Sequence, residues 1–246
     1  MRFVFLILCA LIGPAVLADE ADDAGQLLAA QIRTAVPMTN SEIRGVLLVR
    51  GGKGKKDIPV VCKVVVHDAG WETVYETTAT NQWPAEKLVI VHSTNQPNLY
   101  LYAQATAADA AVPVPKTITA ADAVRPLAGS DFWLTDLALE FLHWPGQRKL
   151  KDGKSLGQEC FVLESSTTNT TGMVRVKSWI DKETSGLLRA EGYDADKNLV
   201  KEFSLHGSSF TKVNGEYKLE KMQIRTPSTK SEKGSETTLK FDLPKN

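Results

Sequence analysis

Short strand-like runs separated by turn signals fill most of this chain, and several of them alternate apolar and polar positions. Val46-Leu47-Leu48-Val49 is strand-like, Gly51 to Asp57 is a glycine- and lysine-rich turn, and Pro59 to His67 is a dense β-branched run. Trp71 to Thr78, Lys87 to Ser93 and Asn98 to Gln104 follow. They are separated by Asp68-Ala69-Gly70, Trp83-Pro84 and Gln96-Pro97, the spacing of an antiparallel meander. The C-terminal part repeats the pattern at Gln158–Ser165, Val174–Asp181, Leu187–Tyr193, Leu199–Leu205, Tyr217–Arg225 and Thr237–Leu243. Leu199, Phe203 and Leu205 share one face of their strand with Lys201 as the exception, which predicts a sheet with one covered and one wet face. Asn214-Gly215 is the strongest short hairpin signal, because both turn positions favour positive φ.

Helical periods are few. Residues 22–33 place Leu27, Leu28, Ile32 and, beyond them, Val36 roughly on one face, before Pro37 stops the helix. Residues 103–128 are rich in Ala, Pro and Thr and too apolar for a free linker, with a short helical turn at Thr119–Val124. Ser130-Asp131 then offers capping oxygens to a strongly apolar stretch, 132–143, read as a short helix that Pro145-Gly146 ends. The sum is one α+β domain, a long curled antiparallel sheet with a few helices against one side.

The chain opens differently. Met1-Arg2, the apolar run Phe3 to Ile12, the break at Gly13-Pro14 and Val16-Leu17-Ala18 have the three-part layout of a secretory signal peptide cleaved after Ala18. The run is short of the roughly 20 residues that span a bilayer. Residues 19–246 would then form a single extracytoplasmic domain. Cys62 and Cys160 remain after cleavage, and the spacing leaves a disulfide and two buried free thiols as equal readings. Of the 246 residues, 43% are hydrophobic and 24% charged, which excludes a disordered chain. Basic and acidic residues balance at 29 each, which argues against sequence-independent nucleic-acid binding.

Catalytic patterns fail one by one. His67, His92, His143 and His206 are scattered outside any zinc-peptidase or triad order, and there is no serine elbow or paired-cysteine zinc site. Gly51–Lys56 misses the phosphate-loop spacing in both registers. Asp194, Asp196 and Asn198 imitate the start of a calcium loop, but Leu199 and Leu205 stand where its glycine and glutamate belong. Asn169-Thr170-Thr171 is a glycosylation sequon. No catalytic residue, metal or cofactor is expected.

An ordered series of short blocks resembles a known family: Gly129-Ser130-Asp131-Phe132, Asp136-Leu137, Cys160-Phe161-Val162-Leu163, Val176 to Glu183, Glu191-Gly192-Tyr193-Asp194, Leu199-Val200-Lys201 and Met222. The series, over roughly 125–243, is similar to the outer-membrane lipoprotein-sorting, LolA-like family. Asn198 stands where that pattern suggests a glycine. The resemblance implies a half-open, incomplete antiparallel β-barrel with helices covering its concave face, and an apolar cavity that takes acyl chains. It implies a periplasmic carrier of lipids or lipoproteins, working between an inner-membrane transporter and an outer-membrane acceptor. The residues proposed to line the cavity are Leu48, Val64, Val66, Ile90, Leu99, Leu101, Phe132, Leu137, Phe141, Val176, Leu188 and Phe203, each of which plain core packing also explains. Residues 132–143 and 103–128 are the expected lids, with Trp133 and Trp144 at the rim. The competing readings are a non-catalytic scaffold or partner-binding module of an envelope transport system, and a secreted hydrolase without a recognised motif.

Overall fold

The computed structural model describes residues 15–51, 54–81, 83–93, 96–119, 121–168, 172–205, 209–213 and 216–243. Met1–Pro14, the sequon and the Asn214-Gly215 turn lie outside them. One α-helix, α1 (Ala15–Arg33), precedes a first meander: β1 (Ser41–Gly51), β2 (Gly54–His67), β3 (Gly70–Thr77), β4 (Glu86–His92), β5 (Leu99–Gln104) and β6 (Lys116–Ile118). The second meander is β7 (Gly146–Ser155), β8 (Gln158–Ser166), β9 (Arg175–Asp181), β10 (Leu187–Tyr193) and β11 (Leu199–Ser204). β12 (Phe210–Val213) and β13 (Glu216–Leu219) form a separate hairpin, and β14 (Lys221–Thr226) and β15 (Ser235–Phe241) complete the large sheet.

That sheet has 13 strands in the order β6-β5-β4-β3-β2-β1-β15-β14-β11-β10-β9-β8-β7. Every ladder is antiparallel, and among the described residues β6 and β7 do not pair, so the sheet is open. The first meander runs out to one edge. The second starts at the other edge and works back, and β14 and β15 join the two wings by pairing β11 and β1.

The chain must therefore cross the sheet from β6 to β7, and residues 119–145 make that crossing. They do so as short 3-10 turns, Asp122–Val124, Leu127–Gly129, Asp136–Ala138 and Glu140–His143. The helix predicted over 132–143 does not form. Leu139 takes a left-handed φ of 49° and divides the stretch, while the Ser130 hydroxyl accepts the Phe132 N–H at 3.2 Å without starting a helix. Ala128 (φ 49°) and Gly129 (φ 65°) turn the chain just before it. The few helices expected on the face are thus, in the described residues, one α-helix and a crossing segment of short 3-10 turns.

α1 begins upstream of the predicted start at Asp22, across the predicted cleavage point. It packs on β7, β8 and the turn at 140–143. The face it buries is Gly25, Leu28, Ala29 and Ile32, at i, i+3, i+4 and i+7, whereas Leu27 is 63% exposed and Val36 42%. A Cβ on Gly25 would fall 2.5–2.6 Å from the Gln147 and Arg148 backbone, so glycine is what lets the helix lie on edge strand β7. β7 (GQRKLKDGKS) escapes sequence reading because it lacks β-branched residues; β8 and α1 hold it in place. The strand predicted over Tyr217–Arg225 splits at Glu220, whose N–H bonds Ser209 O.

Two clusters divide the buried face. Leu47, Ile58, Leu88, Ile90, Tyr100 and Leu239 from the strands enclose Leu127, Phe132 and Leu134 of the crossing segment. Leu163, Val176, Ile180 and Ala190 enclose Phe141 and Leu142 from the segment and Leu28 from α1. Cys62 and Cys160 are both free. Burial pushes the Cys62 thiol up to about 11.

Candidate functional site

The crossing segment is fixed to the sheet by a series of buried polar contacts, each made by a side chain on an otherwise apolar face. Glu86 on β4 accepts hydrogen bonds from the Ala128 N–H at 2.8 Å, Gln104 Nε2 at 2.9 Å and Trp83 Nε1 at 2.5 Å. The Asp131 carboxylate accepts from the hydroxyls of Thr226 (2.6 Å), Ser235 (2.5 Å) and Thr237 (2.7 Å) on β14 and β15. Glu140 accepts from Asn98 Nδ2 at 2.8 Å and the Tyr100 hydroxyl at 2.7 Å. Gln147 on β7 donates to Phe141 O and Trp144 O, both at 2.9 Å. Buried polar atoms need such partners, and here the partners come from strands that are far apart in the chain.

Lys201 is the exceptional group. It projects from β11 into the buried face and is 4% exposed. Its Nζ donates to Asp136 Oδ2 at 2.5 Å and to Asp131 O at 2.7 Å, and lies 3.7 Å from the centre of the Trp133 ring. Burial lowers its pKa to about 8, against the opposing pull of Asp136. A buried ion pair is a poor source of stability, because a hydrophobic pair of similar volume is often as good, yet removing one partner alone costs about 3–5 kcal/mol. The pair therefore binds Asp136, and with it the middle of the crossing segment, to the second wing.

Beside this pair is an apolar cavity of about 30 Å³, lined by Leu139 and Phe141 of the crossing segment and by Met173, Val176, Leu187, Ala190, Gly192, Phe203 and Ile224, with Asp136 and Lys201 at its polar end. It has room for about one water molecule. A Cβ on Gly192 would run into the Met173 side chain, which would have to move aside.

A second polar chain links the segment to the first wing. The Thr73 hydroxyl meets His92 Nε2 at 3.0 Å, His92 Nδ1 meets Asn98 Oδ1 at 3.0 Å, and Asn98 continues to Glu140. Trp71 stacks on His92 at 4.8 Å. Because Asn98 Oδ1 can only accept, His92 carries its proton on Nδ1 and is neutral, in line with its pKa, lowered by burial. His143 lies half-buried near Arg33, which donates to Leu142 O. Burial, Arg33 and His92 lower the His143 pKa to about 4. The unfolded chain takes up protons on these histidines near pH 6.5 while the folded chain does not, so stability falls as pH drops below that value. Glu140, whose pKa burial raises, opposes this nearer its own range. The urea midpoint is expected to be lower at pH 5 than at pH 7, and His143→Asn to shrink the difference; an unchanged difference in that variant would remove His143 from the account.

The residues expected to line a cavity separate into groups. Phe141, Val176 and Phe203 line this cavity together. Ile90 and Phe132 are buried in the first wing's cluster, 0% and 1% exposed, with Leu137 packed against it. Val64 pairs through Thr73 with Ile90 and shares its face, half-buried, as does Val66 further along the same strand. Leu48, Leu99 and Leu101 point the other way, because Leu47, Val49, Tyr100 and Tyr102 occupy the inner face of their strands. Leu188 sits at a bulge between Leu187 and Arg189, and Leu187 takes the inward place. Trp133 packs at the second cluster and under Lys201, and Trp144 is half-buried nearby. The polar contacts of Glu86, Asp131, Asp136, Glu140 and Lys201 were not anticipated as a set. The signals in the sequence are Lys201, a lysine on an apolar strand face, and the presence of Asp131, Asp136 and Lys201 in the ordered blocks.

The motif imitations are turns. Gly51 pairs with Gly54 at the end of the β1–β2 ladder, and the Asp194 carboxylate caps Asn198 N–H at 2.8 Å while Lys197, not residue 198, takes the left-handed φ of 67°. Among the described residues no group of His, Cys, Asp and Glu could hold a metal.

A family model described as "Uncharacterized protein"-like matches residues 85–245. No curated protein matches the chain. Among solved structures, an outer membrane lipoprotein-sorting protein domain from Vibrio parahaemolyticus aligns at 19% identity over 92% of this chain and 95% of that one, with a TM-score of 0.68. A DUF1329 family protein from Desulfovibrio piger aligns at 17% identity and TM-score 0.67, again over 92% and 95%. A LolA superfamily protein from Nitrosomonas europaea aligns at 14% identity over 91% and 95%, with a TM-score of 0.59. These likenesses speak for the fold, and the open antiparallel sheet crossed by its own linking segment agrees with them. The family model spans well over half the chain, which therefore belongs to that family, and the solved structures show that it has the fold of LolA-like, lipoprotein-sorting domains.

Proposed function

We propose that this chain is a non-catalytic periplasmic carrier that shelters acyl chains of lipids or lipoproteins on the inner face of its sheet, for sorting towards the outer membrane. The observation that carries this reading is the apolar cavity walled on one side by a crossing segment, Leu139 and Phe141, rather than by a further strand. In this reading the segment is a lid whose own apolar side chains occupy the place of cargo. A sixteen-carbon acyl chain has roughly 12 kcal/mol of exposure to hide. Displacing Phe141 and Leu142 offsets part of that gain, which keeps binding weak enough for cargo to be handed on.

The surrounding proposals follow the same reading. Residues 1–18 are a signal peptide and 19–246 the working domain, with an inner-membrane transporter as donor and an outer-membrane protein as acceptor. No helix among the described residues is long and apolar enough to cross a membrane. The alternative, a scaffold or partner-binding module whose interior is permanently filled, draws on the small cavity volume and the many polar contacts of the segment.

The two readings part in a titration of the delipidated chain with a triacylated lipopeptide, using the same peptide without acyl chains as control. A carrier gives saturable, acyl-dependent binding. Phe141→Glu should weaken it at least tenfold, whereas Leu101→Glu, on the opposite face, should leave it within about twofold. Absence of acyl-dependent binding by the folded chain would favour the scaffold.

A further inference from the structure

Lys201 is a cation placed where an acyl carrier needs none. The rest of the cavity wall from the second wing is apolar, and the lysine sits at its polar end, pointing at the segment that would have to move. Its charge is balanced by Asp136 on that segment at 2.5 Å. Asp131, its other oxygen partner, is held by Thr226, Ser235 and Thr237 on β14 and β15. When residues beyond Asp131 swing outwards, Asp136 leaves and Lys201 keeps only the neutral carbonyl of Asp131. An uncompensated cation then faces an opened apolar cavity, which is unfavourable unless a second anion arrives.

We infer that Lys201 recognises an anionic headgroup, a carboxylate or a phosphate carried next to the acyl chain, and that this group takes the position Asp136 holds in the closed chain. Asp136 is then an internal stand-in for the cargo's charge, and opening is favoured by amphiphiles that bring an anion with them. The inference rests on the carrier reading and adds a class of cargo to it. The opposing group on the segment is Asp136, and Trp133, stacked against the ammonium at 3.7 Å in the closed chain, moves away with it.

The test compares palmitate, hexadecyl phosphate and hexadecanol, below their aggregation concentrations, on the delipidated full chain by calorimetry. The anionic ligands should bind roughly ten- to a hundredfold more tightly than hexadecanol, the range of a charged hydrogen bond; the better of the two identifies the headgroup. Acetate and inorganic phosphate, lacking the chain, should not bind measurably. Asp136→Asn removes the internal competitor's charge and should widen the preference for anions. Lys201→Met combined with Asp136→Leu leaves no unpaired charge to compromise folding; it should bind hexadecanol at least as well as the parent and show no preference. Equal binding of all three ligands by the parent, or a preference that survives in the double variant, overturns the inference and leaves the carrier reading standing. Failure of all three to bind the folded parent overturns both.

Discussion

Asp136→Ala is expected to destabilise the folded chain by about 3–5 kcal/mol, because it strands the Lys201 ammonium in an apolar wall. Few single surface-loop changes approach that size, and Asp136 belongs to a 3-10 turn rather than to a strand or helix. The size comes from the partner. Lys201 is 4% exposed and keeps only the Asp131 carbonyl and the Trp133 ring once the carboxylate is gone. Lys201→Met with Asp136→Leu should behave oppositely, between neutral and about 4 kcal/mol more stable than the parent, since two apolar side chains replace a desolvated pair. Denaturant unfolding of the parent, Lys201→Met, Asp136→Leu and the double variant gives the coupling directly. If Asp136→Ala loses less than about 1 kcal/mol, the pair is hydrated in solution and the segment is open there.

Phe132→Ala is expected to cost about 3–5 kcal/mol, the range for deleting a buried aromatic side chain. Phe132 is 1% exposed and packs among residues of the first wing, while its peptide oxygen accepts the Leu127 N–H at 2.8 Å and closes the loop that Ala128 and Gly129 turn. Unfolding free energy measured with and without a bound amphiphile separates two situations. A loss of the full amount in both means that Phe132 is permanent core and only residues beyond it open. A full loss without ligand that shrinks when ligand is bound means that cargo displaces Phe132 as well. A cost below about 1 kcal/mol without ligand would mean that the first wing is not sealed by this segment.

Much of the sheet was legible because its strands carry β-branched and aromatic residues at alternate places. What alternation does not supply is the sign of the face. In Leu99–Tyr100–Leu101–Tyr102 both sets are apolar, and the tyrosines, not the leucines, turn inward. Leu48 is misplaced for the same reason, since Leu47 and Val49 are equally apolar. Leu188 fails through a single bulge: Ala190 and Gly192 keep its parity and face inward, but before them Leu187 takes the inward place. The crossing segment reads as a helix from its leucine and phenylalanine spacing, but its conformation is set by long-range partners, Glu140 with Asn98 and Tyr100, and Asp131 with β14 and β15, that no local window contains. The candidate site was partly visible: Phe141, Val176 and Phe203 come together, and Lys201 stood out as the wrong residue for its face.

The ladder between β1 and β15 bears on how the molecule reaches this state. On one side β1 meets β2, its neighbour in sequence. On the other, Gly45 lies opposite Phe241, so almost the whole chain separates two strands at the middle of the sheet. Closing so large a loop is entropically slow, and each wing can form its own local hairpins first. Until the seam closes, β1 presents a bare edge carrying Leu47 and Val49, the kind of edge that templates pairing with other chains. Folding yield should then depend on how soon β15 arrives. The edge most open to aggregation during folding is a strand that the finished protein keeps at its centre.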